Sequence, residues 1–171
     1  MSARPVPLVL STEPFTTPTQ VDLPDDVVVV LLRHECVTME EIVEIFDGGF
    51  TVLSGLEPIG PGFACYDGDV SATFDLTLGF PVGVHAQGLP ADLPDGVEHG
   101  KFPDGPAWVV SHRGAYDGLP EAWAGLLAAV GAEGAEDGSR FVEIYVDDPS
   151  RTAPEELRTD LVLLPASAAK L

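Results

Sequence analysis

Each half of this chain opens on a β-branched apolar run, passes into a helical period and closes on two short apolar stretches. Val27 to His34 is an almost unbroken apolar run and predicts a buried strand. Thr38 with Glu41 three residues on forms a capping box, and Ile42, Val43, Ile45 and Phe46 then make the apolar stripe of a helix. Gly48-Gly49 is expected to end that helix or to close its last turn. Phe63 to Tyr66 predicts a short strand, Asp67-Gly68-Asp69 a turn, and Thr73 to Val84 another strand. The second half repeats the order. Trp108 to Arg113 predicts a strand, and Leu119, Ala122, Trp123, Leu126, Leu127 and Val130 stand at helical spacing before Gly131 and Gly134. Phe141 to Asp147 and Thr159 to Leu164 complete a closing hairpin.

The two halves read as copies of one strand-helix-strand-strand unit. A shift of 79 positions lays Arg33-His34 on His112-Arg113, Tyr66 on Tyr145 and Asp69 on Asp148. Asp75-Leu76-Thr77-Leu78 leads to Pro81 as Asp160-Leu161-Val162-Leu163 leads to Pro165. The expected fold is α+β: two pseudo-symmetric units, residues 27–84 and 106–165, forming one antiparallel sheet with both helices on one face. A duplicated unit leaves a ligand cleft between its halves. Residues 1–26, with Pro5, Pro7, Pro14, Pro18 and Pro24, are expected to be an extended, loosely held arm. That arm is too short and too proline-rich for a helix-turn-helix. Gln87 to Pro106, dense in Gly, Pro and Asp, is expected to connect the halves.

Composition narrows the partners. With 171 residues the chain suits one domain and buries enough apolar surface to fold without metal or disulfide. Its 28 acidic against 8 basic residues, a net charge of −20, argue against nucleic acid, which needs clustered Lys and Arg. Lys101 and Lys170 are the only lysines. Such a charge attracts cationic small molecules, although an acid-rich surface also serves solubility alone. Met1 to Pro7 carries no apolar h-region, and the run Val27 to Leu32 is far too short to span a membrane, so a cytoplasmic location is expected. Cys36 and Cys65 are expected to be free core thiols.

Glu143 is the residue that chemistry singles out. Alternation along its strand puts Val142, Ile144 and Val146 on one face, expected to pack against the helices. Phe141, Glu143 and Tyr145 then share the other face. A carboxylate between two aromatics is either a solvated sheet residue or the floor of a pocket, and the flanking rings favour the pocket. The repeat places Ala64 opposite, a small residue that leaves room. An acid in an aromatic cleft attracts a ligand cation, and desolvation equips it as a general acid or base. Tyr145, Tyr66, Tyr116, Trp108 and Trp123 are candidates to line the cleft, and plain core packing is the simpler reading of Trp123. His34, His85, His99 and His112 stand too far apart in sequence for a metal site, so no metal or other cofactor is expected. Ser111-His112 are strand neighbours pointing to opposite faces, which defeats a nucleophile–base pair. Asp147 and Asp148, at the turn end of their strand, do not make a glycosidase pair.

Three stretches carry a resemblance: His112-Arg113-Gly114-Ala115-Tyr116, Val142 to Pro149, and Phe74 to Pro81. At these residues, and in order over about residues 27–165, the chain resembles the GyrI-like small-molecule-binding family. That family includes the effector-binding domains of AraC-type and MerR-type drug-responsive regulators. The resemblance implies a cleft for hydrophobic, often cationic, aromatic compounds, with Glu143 as the ligand-contacting acid. The aromatic lining is carried over less directly to Trp108, Tyr116, Trp123 and Tyr66. Three functions are consistent with it. One is a stand-alone binder that sequesters a drug or toxin. The second is a hydrolase that opens the cyclopropane ring of DNA-alkylating natural products, with Glu143 activating water and Trp123 or Tyr116 as aromatic helper. The third is an inhibitor that interacts with gyrase. The Cys36 segment and the Pro/Gly-rich connector depart from the family pattern.

Overall fold

The computed structural model describes residues 8–25, 27–56, 58–68, 72–83, 93–134, 140–165 and 168. Asp69 of the sequence repeat and His85 lie outside them. Among the described residues, eight strands form one antiparallel sheet in the order β1-β6-β8-β7-β3-β4-β2-β5. They are β1 (Thr19–Leu23), β2 (Val28–Val37), β3 (Gly62–Gly68), β4 (Phe74–Gly83), β5 (Val97–Lys101), β6 (Gly105–Arg113), β7 (Arg140–Tyr145) and β8 (Arg158–Leu164). Two helices, α1 (Ile42–Ser54) and α2 (Leu119–Gly134), cover one face, as the sequence predicts.

The repeat is present in the strand register. At the centre, β3 pairs with β7 and Ala64 stands directly opposite Glu143. Outward from that pair the registers run Ala64, Leu78, Leu32 on one side and Glu143, Leu161, Val110 on the other. The flanking rows are Tyr66, Leu76, His34 and Tyr145, Thr159, His112. The pseudo-twofold axis therefore passes between Ala64 and Glu143. It lays His34 on His112, one position away from the uniform shift read in the sequence, because strands joined by loops of different length need not keep one spacing.

Two stretches expected to be irregular contain the outer strands. Thr19–Leu23, inside the supposed loose arm, pairs with β6, and Val97–Lys101, inside the supposed connector, pairs with β2. Each half thus lends its leading strand to the edge of the other half. Both are polar and mostly exposed, so they lack the apolar period that marks an interior strand.

The same arm covers the face of the sheet away from the helices. Leu8, Leu23, Phe102, Val142, Ile144, Val162 and Leu164 bury together there, with Leu10 and Phe15 packed against them. Beneath them lies a buried ion pair. Arg158 donates from Nε and Nη2 to the two oxygens of Asp160 at 2.9 and 3.1 Å. Ser111 donates to the same carboxylate at 2.6 Å and accepts from the backbone N–H of Phe15 at 2.8 Å. Arg158 also reaches the Thr12 carbonyl. From Leu8 onward the arm is held by these part-buried polar contacts and by apolar packing, and is not loose.

The capping box is present, with the Thr38 N–H donating to the Glu41 carboxylate at 3.0 Å. A 3-10 turn over Met39–Glu41 leads from it into α1. Gly48-Gly49 does not end that helix. Phe50 and Leu53 extend its apolar stripe, and a Cβ on Gly49 would stand 2.6 Å from Leu78. The glycine is there for close approach to the sheet, which outweighs its low helix propensity. Gly131 does break α2, adopting φ +62°. Cys65 is buried as expected, whereas Cys36 is exposed, at a φ of +52° beside an irregularity in β2.

Candidate functional site

Glu143 faces the helices, the reverse of the expected arrangement. Period-2 alternation correctly separates Phe141, Glu143 and Tyr145 from Val142 and Ile144, but it cannot say which layer covers which side. Both faces are buried here, and the all-aliphatic side packs under the arm.

The carboxylate is 5 % exposed and sits between the apolar side chains of its cross-strand neighbours Ala64 and Leu161. Three donors converge on it. Tyr66 and Tyr145 donate from their phenol O–H groups to Oε1 at 2.9 and 2.8 Å. Trp123 donates from its indole Nε1–H to Oε2 at 2.8 Å. The two tyrosines come from equivalent positions of the two halves, so the repeat itself builds a near-symmetric clamp around an acid that only one half supplies. Such charge-assisted bonds fix a carboxylate firmly.

Aromatic rings close the space above. The Tyr145 ring meets Phe46 and Phe50 of α1 and Tyr116 at centroid distances of 6.0, 5.9 and 5.6 Å, all edge-on. Phe141 packs on Trp123 at 5.1 Å, and Phe74 on Tyr66 at 5.7 Å. Edge-to-face contacts of this kind favour association beyond buried area. Tyr116 is 36 % exposed, at the outer edge of this ring cluster. It is carried on a 3-10 turn, Tyr116–Gly118, that His112 braces through an Nε2 contact of 3.0 Å to the Ala115 carbonyl.

Of the residues picked out in the sequence, Glu143, Tyr145, Tyr66, Trp123, Phe141, Ala64 and Tyr116 come together here. Trp123 is more than core packing, since its indole bonds the acid. Trp108 does not join them at the acid. It sits on β6, with β8 between it and β7, in the cluster beneath α2 that also holds Trp123 and Phe141, and it is not among the donors to Glu143. Phe46 and Phe50 were passed over because they read as ordinary members of the α1 stripe, and only the docking of that helix brings them to Tyr145. A separate cavity of about 160 Å³ opens on the opposite face, lined by Arg33, Cys65, Asp67, Asp75, Thr77 and Arg140 among others. Its charged and polar lining sets it apart from the Glu143 cluster, where an acid, three donors and edge-on rings converge.

Burial, then the neighbouring Glu143 charge, pushes the phenols of Tyr66 and Tyr145 above the usual tyrosine range. Tyr116 is raised too, again chiefly by burial. Burial likewise pushes the Cys65 thiol up to about 12, which removes it as a nucleophile near neutral pH. These are the chain's three tyrosines. An ultraviolet titration is therefore expected to show little phenolate at pH ~10, where free tyrosine is half ionised. A phenol held above its unfolded value stabilises the fold fully below pH ~10, and that contribution is lost as pH climbs further. Stability should fall above pH ~10 by up to ~1.4 kcal/mol per pH unit for each buried phenol, and Tyr66→Phe should make the decline shallower. Phenolate appearing at pH ~10 in the folded protein would contradict the burial of this site.

The sequence profile of the GyrI-like small-molecule-binding domain matches residues 18–164. The chain belongs to the GyrI-like family. No curated protein sequence matches it. Solved structures of the same fold include a hydrolase encoded by lin2189 from Listeria innocua, at 14 % identity and a TM-score of 0.59, covering 92 % of this chain and 94 % of that one. The C-terminal domain of EcmrR aligns at 17 % identity and a TM-score of 0.61, over 91 % of this chain and 98 % of that domain. SAV2435 bound to tetraphenylphosphonium aligns at 11 % identity and a TM-score of 0.60, over 87 % and 93 %. Identities this low establish the fold alone. The GyrI-like domain is a small-molecule-binding domain, and among the described residues no helix is long and apolar enough to cross a membrane.

Proposed function

We propose that this GyrI-like protein binds a hydrophobic, aromatic cation in the cleft at Glu143. The observation that carries this reading is a buried carboxylate on the pseudo-twofold axis, held by Tyr66, Tyr145 and Trp123 and surrounded by aromatic rings. Rings attract a cation through their negative faces, and a desolvated carboxylate supplies the counter-charge that makes entry into an apolar site favourable. The rings of Phe46, Phe50 and Tyr116 close on Tyr145, so a ligand enters by parting them. Tetraphenylphosphonium, bound by the similar SAV2435, is the natural probe.

A hydrolase is the second reading, favoured by the Trp123–Glu143 bond and by the likeness to the Listeria innocua hydrolase. Glu143 would take a proton from a water molecule as the water oxygen bonds to a cyclopropane carbon. The strained carbon–carbon bond breaks, its electron pair is drawn into the conjugated ring system of the alkylator, the proton held by Glu143 passes to the oxygen that receives that charge, and the product is heavier by one water. Trp123 fixes the carboxylate orientation, and the aromatic rings hold the flat substrate. Mass spectrometry with a cyclopropane-bearing alkylator and far less than one equivalent of protein decides between the readings. Hydrated product beyond one equivalent establishes turnover. Unaltered compound retained by the protein establishes sequestration. A compound neither changed nor retained rules out this substrate class.

A further inference from the structure

We propose that Thr159 is a second polar anchor of the same cleft, a hydroxyl that holds an oxygen beside Tyr145. The bound oxygen is that of a water molecule or of a ligand hydroxyl or carbonyl that replaces it. The inference rests on the Glu143 reading for where a ligand lies, and on separate observations for what Thr159 does.

Thr159 lies fully buried in β8, yet its Oγ1 has no hydrogen-bond partner among the described residues. A buried hydroxyl without a partner is costly, and native proteins satisfy nearly all of them. Its position is defined by register: Thr159 stands directly opposite Tyr145 on one side and His112 on the other. Directly opposed residues share a face of the sheet and approach to roughly 5 Å between Cβ atoms. Thr159 is therefore on the helix face, one strand from a residue that bonds Glu143, in the row that ends at the His112-braced Tyr116 turn. His112 already uses Nε2 on the Ala115 carbonyl, and the Tyr145 phenol is committed to Glu143.

The pseudo-twofold sharpens the point. The equivalent of Thr159 in the first half is Leu76, fully buried and flanked by Tyr66 and His34. A leucine satisfies that position of the sheet by packing alone, so fold geometry does not require a hydroxyl there. The polar residue occurs only on the side where the exposed Tyr116 lies at the outer edge. Being both donor and acceptor, Thr159 makes the cleft selective for ligands with an oxygen at that end, in addition to the cation that Glu143 takes.

The test compares tetraphenylphosphonium with (4-hydroxyphenyl)triphenylphosphonium, the same cation carrying one phenol hydroxyl, on wild type and Thr159→Val. Calorimetry is expected to show a several-fold preference of wild type for the hydroxylated probe over tetraphenylphosphonium, and that preference is expected to be lost in Thr159→Val. Crystals of wild type, with and without the hydroxylated probe, are expected to show an oxygen within hydrogen-bond distance of Thr159 Oγ1. Water there in both crystals assigns the anchor to water, and a probe oxygen assigns it to ligand. A dry hydroxyl, together with a Tm that rises in Thr159→Val and an unchanged probe preference, overturns the proposal. If neither probe binds, the Glu143 reading fails by itself, and the oxygen at Thr159 in the ligand-free crystal alone decides this one.

Discussion

Glu143→Gln is expected to weaken tetraphenylphosphonium binding about a hundredfold, or ~3 kcal/mol for a lost charge near 5 Å at an effective dielectric of 20. Glutamine keeps the size of the side chain and one oxygen to accept from Tyr66 and Tyr145, so the clamp survives in part. It loses the charge and turns an NH₂ towards the Trp123 indole N–H, where two donors face each other. The change therefore separates electrostatics from packing. Calorimetry on wild type and variant gives the ratio directly. If the chain is instead a hydrolase, the same variant stops hydration of the alkylator while binding stays measurable. Equal affinity and equal turnover in both proteins would remove Glu143 from the site.

Asp160→Ala is expected to cost 3–5 kcal/mol, the usual penalty for leaving one member of a buried ion pair uncompensated. Arg158 is 5 % exposed and Asp160 fully buried, so solvent cannot take over the lost partner. The loss is a large part of the 5–15 kcal/mol that stabilises an ordinary domain. It also frees Ser111, which links Asp160 to the Phe15 backbone, so residues 8–16 should become sensitive to protease before the sheet does. Urea denaturation with limited proteolysis reads both effects. A double variant, Arg158→Met with Asp160→Leu, should regain much of the stability, because a buried pair contributes little over apolar residues of similar volume. A loss below ~1 kcal/mol for Asp160→Ala would show that the pair is not shielded as described.

The proposed site and the buried ion pair lie on the two faces of one sheet. The side of β7 that carries Glu143 meets the helices and aromatic rings, while Val142 and Ile144 on its other side lie beneath the arm held by Arg158 and Asp160. The helices on the cleft side pack through separate clusters, α1 with Leu78 and Tyr66 and α2 with Leu161 and Leu163. The central pair Ala64 and Glu143 lies where those clusters meet.

By itself the sequence determined the interior strands, the two helices and their order, the duplication and the family, and it placed Ala64 opposite Glu143. Those are properties of local period and of residues set at a common spacing, and they survive without knowledge of distant contacts. It also determined that Phe141, Glu143 and Tyr145 share a face, since alternation follows from strand geometry alone. Only the tertiary structure decided which layer covers that face. Val142 and Ile144 are as apolar as any helix-facing pair, and nothing local distinguishes a cover of helices from a cover of arm. Strands β1 and β5 were hidden because edge strands are polar and gain their order from pairing with residues far along the chain. The role of Trp123 was hidden for a related reason: on a helical stripe an indole bonding a carboxylate and an indole filling a core look the same. Tyr66, Tyr145 and Trp123 reach one carboxylate only because three elements dock around the pseudo-twofold axis, and that convergence is a long-range event which no window of sequence contains.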